Sequence, residues 1–227
     1  MSVGVIIPAA GTGRRMGTDL HKQYLSIEGT PILIHTLRRF ASHPEIQKII
    51  VAVHAHEQTR AAELISAYQL DHITEVHIGG TERQDSVRLS LMHLHTEWVI
   101  VHDAVRPFIT QEAITSVISN VQTRGAVILA VPMKDTVKQV TADGIVSCTP
   151  DRKELWSVQT PQAFKREWLE EAHEQALNRA RPATDDAMLV EEMGHPVYIV
   201  EGDYTNIKIT TPEDLYYADA IIQMRRK

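Results

Sequence analysis

Val3-Gly4-Val5-Ile6-Ile7-Pro8-Ala9-Ala10-Gly11-Thr12-Gly13 opens the chain with an almost continuously apolar run that breaks into small residues. Such a run reads as a strand buried on both faces, and the glycines after it as a tight turn at its carboxyl end. The same signature recurs at residues 48–53, 75–78, 98–102 and 125–131. Between these runs, residues 31–42, 57–68, 82–93 and 111–123 are each long enough for a helix. Start signals agree. Thr30-Pro31 and Thr211-Pro212-Glu213-Asp214 put a capping residue before a proline at the first helical position, and Thr81-Glu82-Arg83-Gln84 reads as a capping box. Strand–helix alternation with short connections predicts an α/β fold, a mostly parallel sheet with helices on both faces.

One segment breaks the alternation. Residues 136–142, Asp143-Gly144 and 145–149 read as strand, turn, strand, because Asp-Gly between β-branched runs is a strong hairpin signal. The hairpin replaces an expected helix and forms a protruding arm over about residues 134–152. A two-stranded ribbon is marginal alone in water, so it must lean on something. A second subunit and its own domain are both open on pattern alone.

Composition narrows the function. The 29 acids against 23 bases give a net charge of −6, against the basic excess of a dedicated duplex-nucleic-acid binder. A few local arginines can still hold phosphates on an acidic protein. The single Cys148 forms neither an internal disulfide nor a zinc site. No apolar run reaches membrane-spanning length, and no basic segment precedes the first apolar run, so a cytoplasmic protein is expected.

The loop after the first strand carries the clearest chemistry. Gly11 and Gly13 let backbone N–H groups approach an anion, and Arg14, Arg15 and Lys22 bring three cations to it. The dinucleotide fingerprint fails, since its third glycine falls on Met16, and no Gly-Lys-Ser/Thr completes a P-loop. Three cations suit a chain of phosphates. Asp103 and Arg106 follow the fourth strand at the same end of the sheet, placed for a hydroxyl or metal and a phosphate, or for a simple turn-closing pair. Gly79-Gly80 leads to Ser86 on a helix start, where N–H groups and a hydroxyl can read a base edge. Lys208 lies in an apolar stretch, either snorkelling to solvent or facing a ligand, and Arg152 follows the hairpin. Among the 12 histidines, His54/His56 and His93/His95 have i,i+2 spacing. No third ligand is apparent for either pair, so no protein metal site is expected.

Together these motifs resemble the 2-C-methyl-D-erythritol 4-phosphate cytidylyltransferases. The matching segments are Pro-Ala-Ala-Gly-x-Gly-x-Arg-Met at 8–16, Lys22-Gln23-Tyr24, Gly79-Gly80-x-Glu82-Arg83, Val101-His102-Asp103-Ala104-x-Arg106-Pro107, Lys134-Asp135-Thr136, Thr160-Pro161-Gln162 and Asn206-Ile207-Lys208. They occur in the family's order over almost the whole chain. His21 stands where the family often has proline, and Val105 where alanine is common.

The resemblance implies a single Rossmann-like nucleotidyltransferase domain over residues 1–227. It implies transfer of CMP from CTP to methylerythritol phosphate in non-mevalonate isoprenoid biosynthesis, with Mg²⁺ held mainly by the CTP phosphates. Catalytic roles fall to Arg15, Lys22, Arg152 and Lys208. CTP binding falls to Ala9, Ala10, Gly11, Gly13, Gly80, Ser86, Asp103 and Ala104. Acceptor binding falls to Asp103, Arg106, Thr136, Arg152, Thr184 and Lys208. It also implies a homodimer in which each arm, through Thr136 and Arg152, reaches the partner's site. Two alternatives are a ribitol-5-phosphate cytidylyltransferase and a non-catalytic CTP-binding regulator. The ribitol group tends to have Ala-Gly-Gly in place of Ala9-Ala10-Gly11 and lacks an arginine at Arg14. A regulator should have lost the cations that Arg15, Lys22, Arg152 and Lys208 retain.

Overall fold

A computed structural model describes residues 2–11, 21–177 and 183–226. The first half runs β1 (Val3–Pro8), a short pair β2 (Ser26–Ile27) and β3 (Thr30–Pro31), α1 (Ile32–Ala41), β4 (Ile46–Val53), α2 (Gln58–Ala67), β5 (Thr74–Ile78), α3 (Arg83–Leu91), β6 (Trp98–Val101), α4 (Gln111–Arg124) and β7 (Ala126–Pro132). The second half has the hairpin β8 (Gln139–Val140) and β9 (Val146–Cys148), the long β10 (Trp156–Lys165), α5 (Arg166–Ala176), α6 (Asp186–Glu192), β11 (Tyr198–Glu201) and α7 (Glu213–Arg225). The five strands and four helices read from the sequence are present, with ends moved by one or two residues.

Seven strands form one sheet in the order β11-β7-β10-β6-β1-β4-β5. It is parallel except for β10, which runs antiparallel to both β6 and β7. β1 is an interior strand, with Ile6 in register with Ile50 of β4 on one side and Val101 of β6 on the other. Alternate side chains of β1 enter opposite cores. Val5 and Ile7 pack with α1, α2 and α4, through Leu37, Ile65 and Val117. Ile6 packs with α3, α5 and α6, through Val87, Leu169 and Leu189. Each such buried aliphatic side chain contributes about 1.5–3 kcal/mol by leaving water. Helices therefore cover both faces, as the near-continuous apolar strands require.

α7 closes a third cluster. Its Ala218 and Ile221 pack with Ile27, Ile32, Val105 and Phe108. The extended segment before α7 joins this cluster through Ile209, whose N–H donates to the Val105 carbonyl at 2.9 Å. That contact carries Lys208 to the carboxyl end of β6.

Three caps differ from the sequence reading. Glu82, not Thr81, caps α3, with Asp85 completing the capping box, while Thr81 Oγ1 donates to the Asp85 carboxylate at 3.1 Å. Pro31 and Pro212 sit at the N-cap, one position before the expected one. Thr30-Pro31 is held in strand geometry by pairing with Ser26–Ile27. The sequence reading also missed β10. Pro161 interrupts its pattern, and the register shifts between Val158 and Gln162, so residues 159–161 bulge out of the ladder towards the carboxyl end of β6.

The hairpin forms as expected, with Gly144 at a φ of 79° in its turn. Val140, Ile145 and Val146 are each more than half exposed. No helix among the described residues is long and apolar enough to cross a membrane.

Candidate active site

From β1, successive strands step outward through β4 to β5, and α3 then carries the chain back to β6 on the other side of β1. A crevice opens at such a reversal, outside the carboxyl ends of the strands. Backbone bonds beyond the strand ends hold its rim: Ala9 N–H donates to Ala52, Gly79 N–H to Val53 and His102 N–H to Ile6.

Two cavities occupy this crevice. The first, of about 500 Å³, is lined by Ala9, Ala10, Gly11, Lys22, Ser86 and Ala104 among others. The second, of about 320 Å³, is lined by Arg106, Gln159, Thr160, Gln162 and Thr184 among others. Arg83, Asp103 and Lys208 line both and form the wall between them.

Asp103 is the hub of that wall. Only 6% exposed, it meets Lys208 Nζ at 2.9 Å, Arg106 Nε at 3.3 Å and Arg83 Nε at 3.5 Å. Burial pushes its carboxyl up, but Arg83, Lys208 and Arg106 outweigh burial and hold it well below the usual carboxylate range. Arg83 is anchored a second time, by Asp186 at 2.6 Å, and Asp186 also accepts from His173 Nε2 at 3.1 Å. Burial disfavours the charged Arg83, yet Asp186 and Asp103 raise its pKa and keep it cationic. One anion thus organises three cations whose remaining N–H groups face the cavities, an arrangement suited to phosphates.

The wall is set by groups behind it. His102, fully buried, has Nε2 at 3.0 Å from the Arg106 carbonyl, which can only accept, so this nitrogen carries the proton. Its Nδ1 then accepts from the Thr160 hydroxyl at 3.1 Å, and the Thr160 oxygen accepts the Asp103 N–H at 3.0 Å. Burial lowers the His102 pKa to about 4, so the ring is neutral and this hydrogen-bond order is fixed at neutral pH. Asn206 donates to Gln159 Oε1 and the Thr160 carbonyl, and its own carbonyl accepts from Arg106 Nη1 at 2.9 Å. On the other side, the Gln23 amide donates to the Ala9 carbonyl at 2.7 Å and ties the segment carrying Lys22 to β1.

Most of the expected residues meet here. Ala9, Ala10, Gly11, Lys22, Ser86, Asp103, Ala104 and Lys208 line the first cavity, and Asp103, Arg106, Thr184 and Lys208 the second. The Asp103–Arg106 pair both closes its turn and lines a cavity. Lys208 faces Asp103 instead of snorkelling away.

Two further placements concern the residues expected at the base edge and on the arm. Ser86 Oγ accepts the Gly80 N–H and donates to the Glu82 carbonyl, each at 3.1 Å, so these groups first hold the turn itself. A Cβ on Gly80 would lie 2.2 Å from the Asp85 Cβ, which explains the glycine. Thr136 and Arg152 are exposed at the base of the arm and line neither cavity, and Arg152 Nη1 donates to the Lys134 carbonyl at 2.9 Å. Gly13, Arg14 and Arg15 lie outside the described residues.

Sequence reasoning gave no site role to Arg83, Gln159, Asn206 or His102. Arg83 carried a readable signal. A cation in the first turn of a helix opposes the helix dipole and needs an anionic partner elsewhere. The others act through contacts that local pattern does not encode.

The comparisons agree with this geometry. The family model for IspD, 2-C-methyl-D-erythritol 4-phosphate cytidylyltransferase, matches residues 3–224. The 2-C-methyl-D-erythritol 4-phosphate cytidylyltransferase of Alkaliphilus metalliredigens is 46% identical over 99% of this chain and 94% of its own. That of Bacillus velezensis is 44% identical over 98% and 97%. The crystal structure of the 4-diphosphocytidyl-2C-methyl-D-erythritol synthase from Anaerococcus prevotii superposes with a TM-score of 0.87 at 33% identity, covering 98% of both chains. The Thermus thermophilus 2-C-methyl-D-erythritol 4-phosphate cytidylyltransferase does so at 0.81 and 32%, covering 98% of this chain and all of its own. With a divided, cation-lined crevice at the sheet's switch point and this agreement along almost its whole length, the chain belongs to the 2-C-methyl-D-erythritol 4-phosphate cytidylyltransferase family.

Proposed function

We infer that this protein transfers CMP from CTP to 2-C-methyl-D-erythritol 4-phosphate, releasing pyrophosphate and forming 4-diphosphocytidyl-2-C-methyl-D-erythritol in isoprenoid biosynthesis. The observation that carries the reading within the family is the pair of cavities sharing Arg83, Asp103 and Lys208. CTP takes the larger and the acceptor phosphate the smaller. An acceptor oxygen attacks the α-phosphorus across the shared wall, and the bond to the β-phosphate oxygen breaks. Such chemistry needs positioning and charge neutralisation more than covalent help. Lys22, with Arg15, neutralises the triphosphate and the charge that grows at phosphorus. Lys208 and Arg106, oriented by Asp103, hold the acceptor phosphate beside it. The backbone of Ala9–Gly11 and the Gly79-Gly80 turn frame a slot sized for a pyrimidine, and Asp103 and Ala104 meet the ribose.

Mg²⁺ belongs to the proposal. The carboxylates lining the larger cavity are engaged, Glu82 in the cap of α3 and Asp103 with three cations. They fit an ion carried mainly by phosphate oxygens and not one caged by protein. When bound, it supplies further charge neutralisation on the triphosphate.

CTP with methylerythritol phosphate and Mg²⁺ should release pyrophosphate, with ribitol 5-phosphate far slower and ATP and GTP poor donors. A coupled pyrophosphate assay reads this. Equal turnover of ribitol 5-phosphate would mean the ribitol enzyme, and CTP binding without pyrophosphate a regulator.

The active unit proposed is a cytoplasmic homodimer with exchanged arms. In support, the apolar arm residues Val140, Ile145 and Val146 find no cover among the described residues of their own chain, and Thr136 and Arg152 line neither of the two cavities. In a two-fold dimer the exchange is reciprocal. Mixing inactive Lys22→Ala and Arg152→Ala proteins lets dimers reassort, and about half become mixed, each with one intact site of two. About a quarter of wild-type activity should return if the sites are independent. No recovery despite demonstrated subunit exchange would place Arg152 in its own chain's chemistry, or outside it.

A further inference from the structure

Beside Lys22, at the joint between β4 and α2, histidines and a glutamate from separate segments converge. His21 directly precedes Lys22, while His56 and Glu57 lie in the single helical turn Ala55–Glu57. One donor atom from each of His21, His56 and Glu57 lies within 4.8 Å of the other two. Glu57 is 5% exposed, and its Oε2 has no hydrogen-bond partner among the described residues. A buried carboxylate oxygen left unpaired is costly. The neighbouring His54 Nε2 and Tyr24 hydroxyl are buried and unpaired as well. His21 Nδ1 stands 3.2 Å from Glu57 Oε1, yet without the alignment of a hydrogen bond. That separation is about the 3.3 Å between two ligands bound at about 2.0 Å around a tetrahedral ion. His54 stacks on His56, with ring centroids 5.5 Å apart and planes 11° apart, which supports the exposed imidazole.

We propose that His21, His56 and Glu57 form a binding site for a divalent transition-metal ion, with water as its fourth ligand. Two imidazoles and a carboxylate suit Zn²⁺, whereas Mg²⁺ prefers oxygen ligands and keeps its water. The ion supplies the cation that the unpaired Glu57 oxygen lacks. It also ties His21, and with it the backbone leading into Lys22, to the start of α2, so occupancy restrains one wall of the larger cavity. The site is independent of the Mg²⁺ carried by nucleotide.

Calorimetric titration of the full-length protein with Zn²⁺, after removal of metal by a chelator, tests this. One Zn²⁺ should bind per chain and raise the melting temperature, with Mg²⁺ in excess failing to compete. Co²⁺ in its place should give the absorption of a four-coordinate centre. His56→Gln is exposed and should fold normally, and His21→Gln provides a second variant. Each should weaken Zn²⁺ by more than the about 10–100-fold typical of changes one shell further out. Absent saturable binding, or binding of unchanged affinity in both variants, would overturn the site, and adventitious capture by other histidines would give the second result. Neither outcome bears on CTP turnover.

Discussion

Replacing Lys22 by alanine should lower kcat by about 10²–10³ and leave the fold nearly intact. Lys22 lines the larger cavity on a short turn rather than in the core, and Gln23, not Lys22, makes the bond to Ala9 that anchors the segment. Its removal therefore costs little packing. What it removes is a cation preorganised for charge that grows at phosphorus only during transfer, so kcat and kcat/KM should fall together. Steady-state kinetics with both substrates varied distinguishes this from uniform binding. A raised KM with unchanged kcat would mean that Lys22 holds ground-state phosphates alone. Arg15→Met should behave alike if the loop brings it to the same phosphates.

Asp103→Asn should be the most damaging single change to the wall, in stability as well as rate. Asparagine keeps the shape but not the charge, and leaves Arg83, Arg106 and Lys208 close together without their shared anion. Breaking one side of a buried charge cluster costs about 3–5 kcal/mol. The lower end applies, because the Lys208 side chain is 38% exposed and can turn to water, and Arg83 keeps Asp186. About 3 kcal/mol corresponds to a melting temperature about 6–12 °C lower in a chain of this size. The acid limb gives an independent check. Asp103 and Asp186 both titrate below the ordinary carboxylate range in the fold, burial opposing and their cations prevailing. Their contribution is therefore full above the unfolded carboxylate pKa of about 4 and is lost as pH falls below it. Melting followed from pH 7 to pH 3 should show a shallower acid decline in Asp103→Asn than in wild type. The double variant Asp103→Asn/Lys208→Met should recover part of the loss, because the cluster then carries one fewer unpaired cation. Equal melting curves for wild type and Asp103→Asn would mean that the Asp103 charge adds no net stability to the cluster.

Alternation of apolar runs and helical stretches was sufficient to identify five strands of the sheet, the helices α1 to α4 and the glycine turn after β1, because strand and helix periodicities are local properties. The Asp143-Gly144 turn likewise marked the hairpin, since its φ requirement falls on one residue. The candidate residues at strand ends were legible for the same reason: in a parallel sheet, the carboxyl end of every run faces one side. The sequence did not reveal β10, because Pro161 and the bulge at 159–161 break the period that identifies strands. Nor did it reveal the partners of Asp103 and Asp186. Arg83 meets Asp186 across 103 positions of chain, and no spacing rule links them. His21 joined His56 and Glu57 only when the end of the loop after β1 came to rest against the joint between β4 and α2. Local period determined which elements form and where their ends point. Long-range packing, which places one buried carboxylate among three cations and another against two imidazoles, decided what those ends can bind.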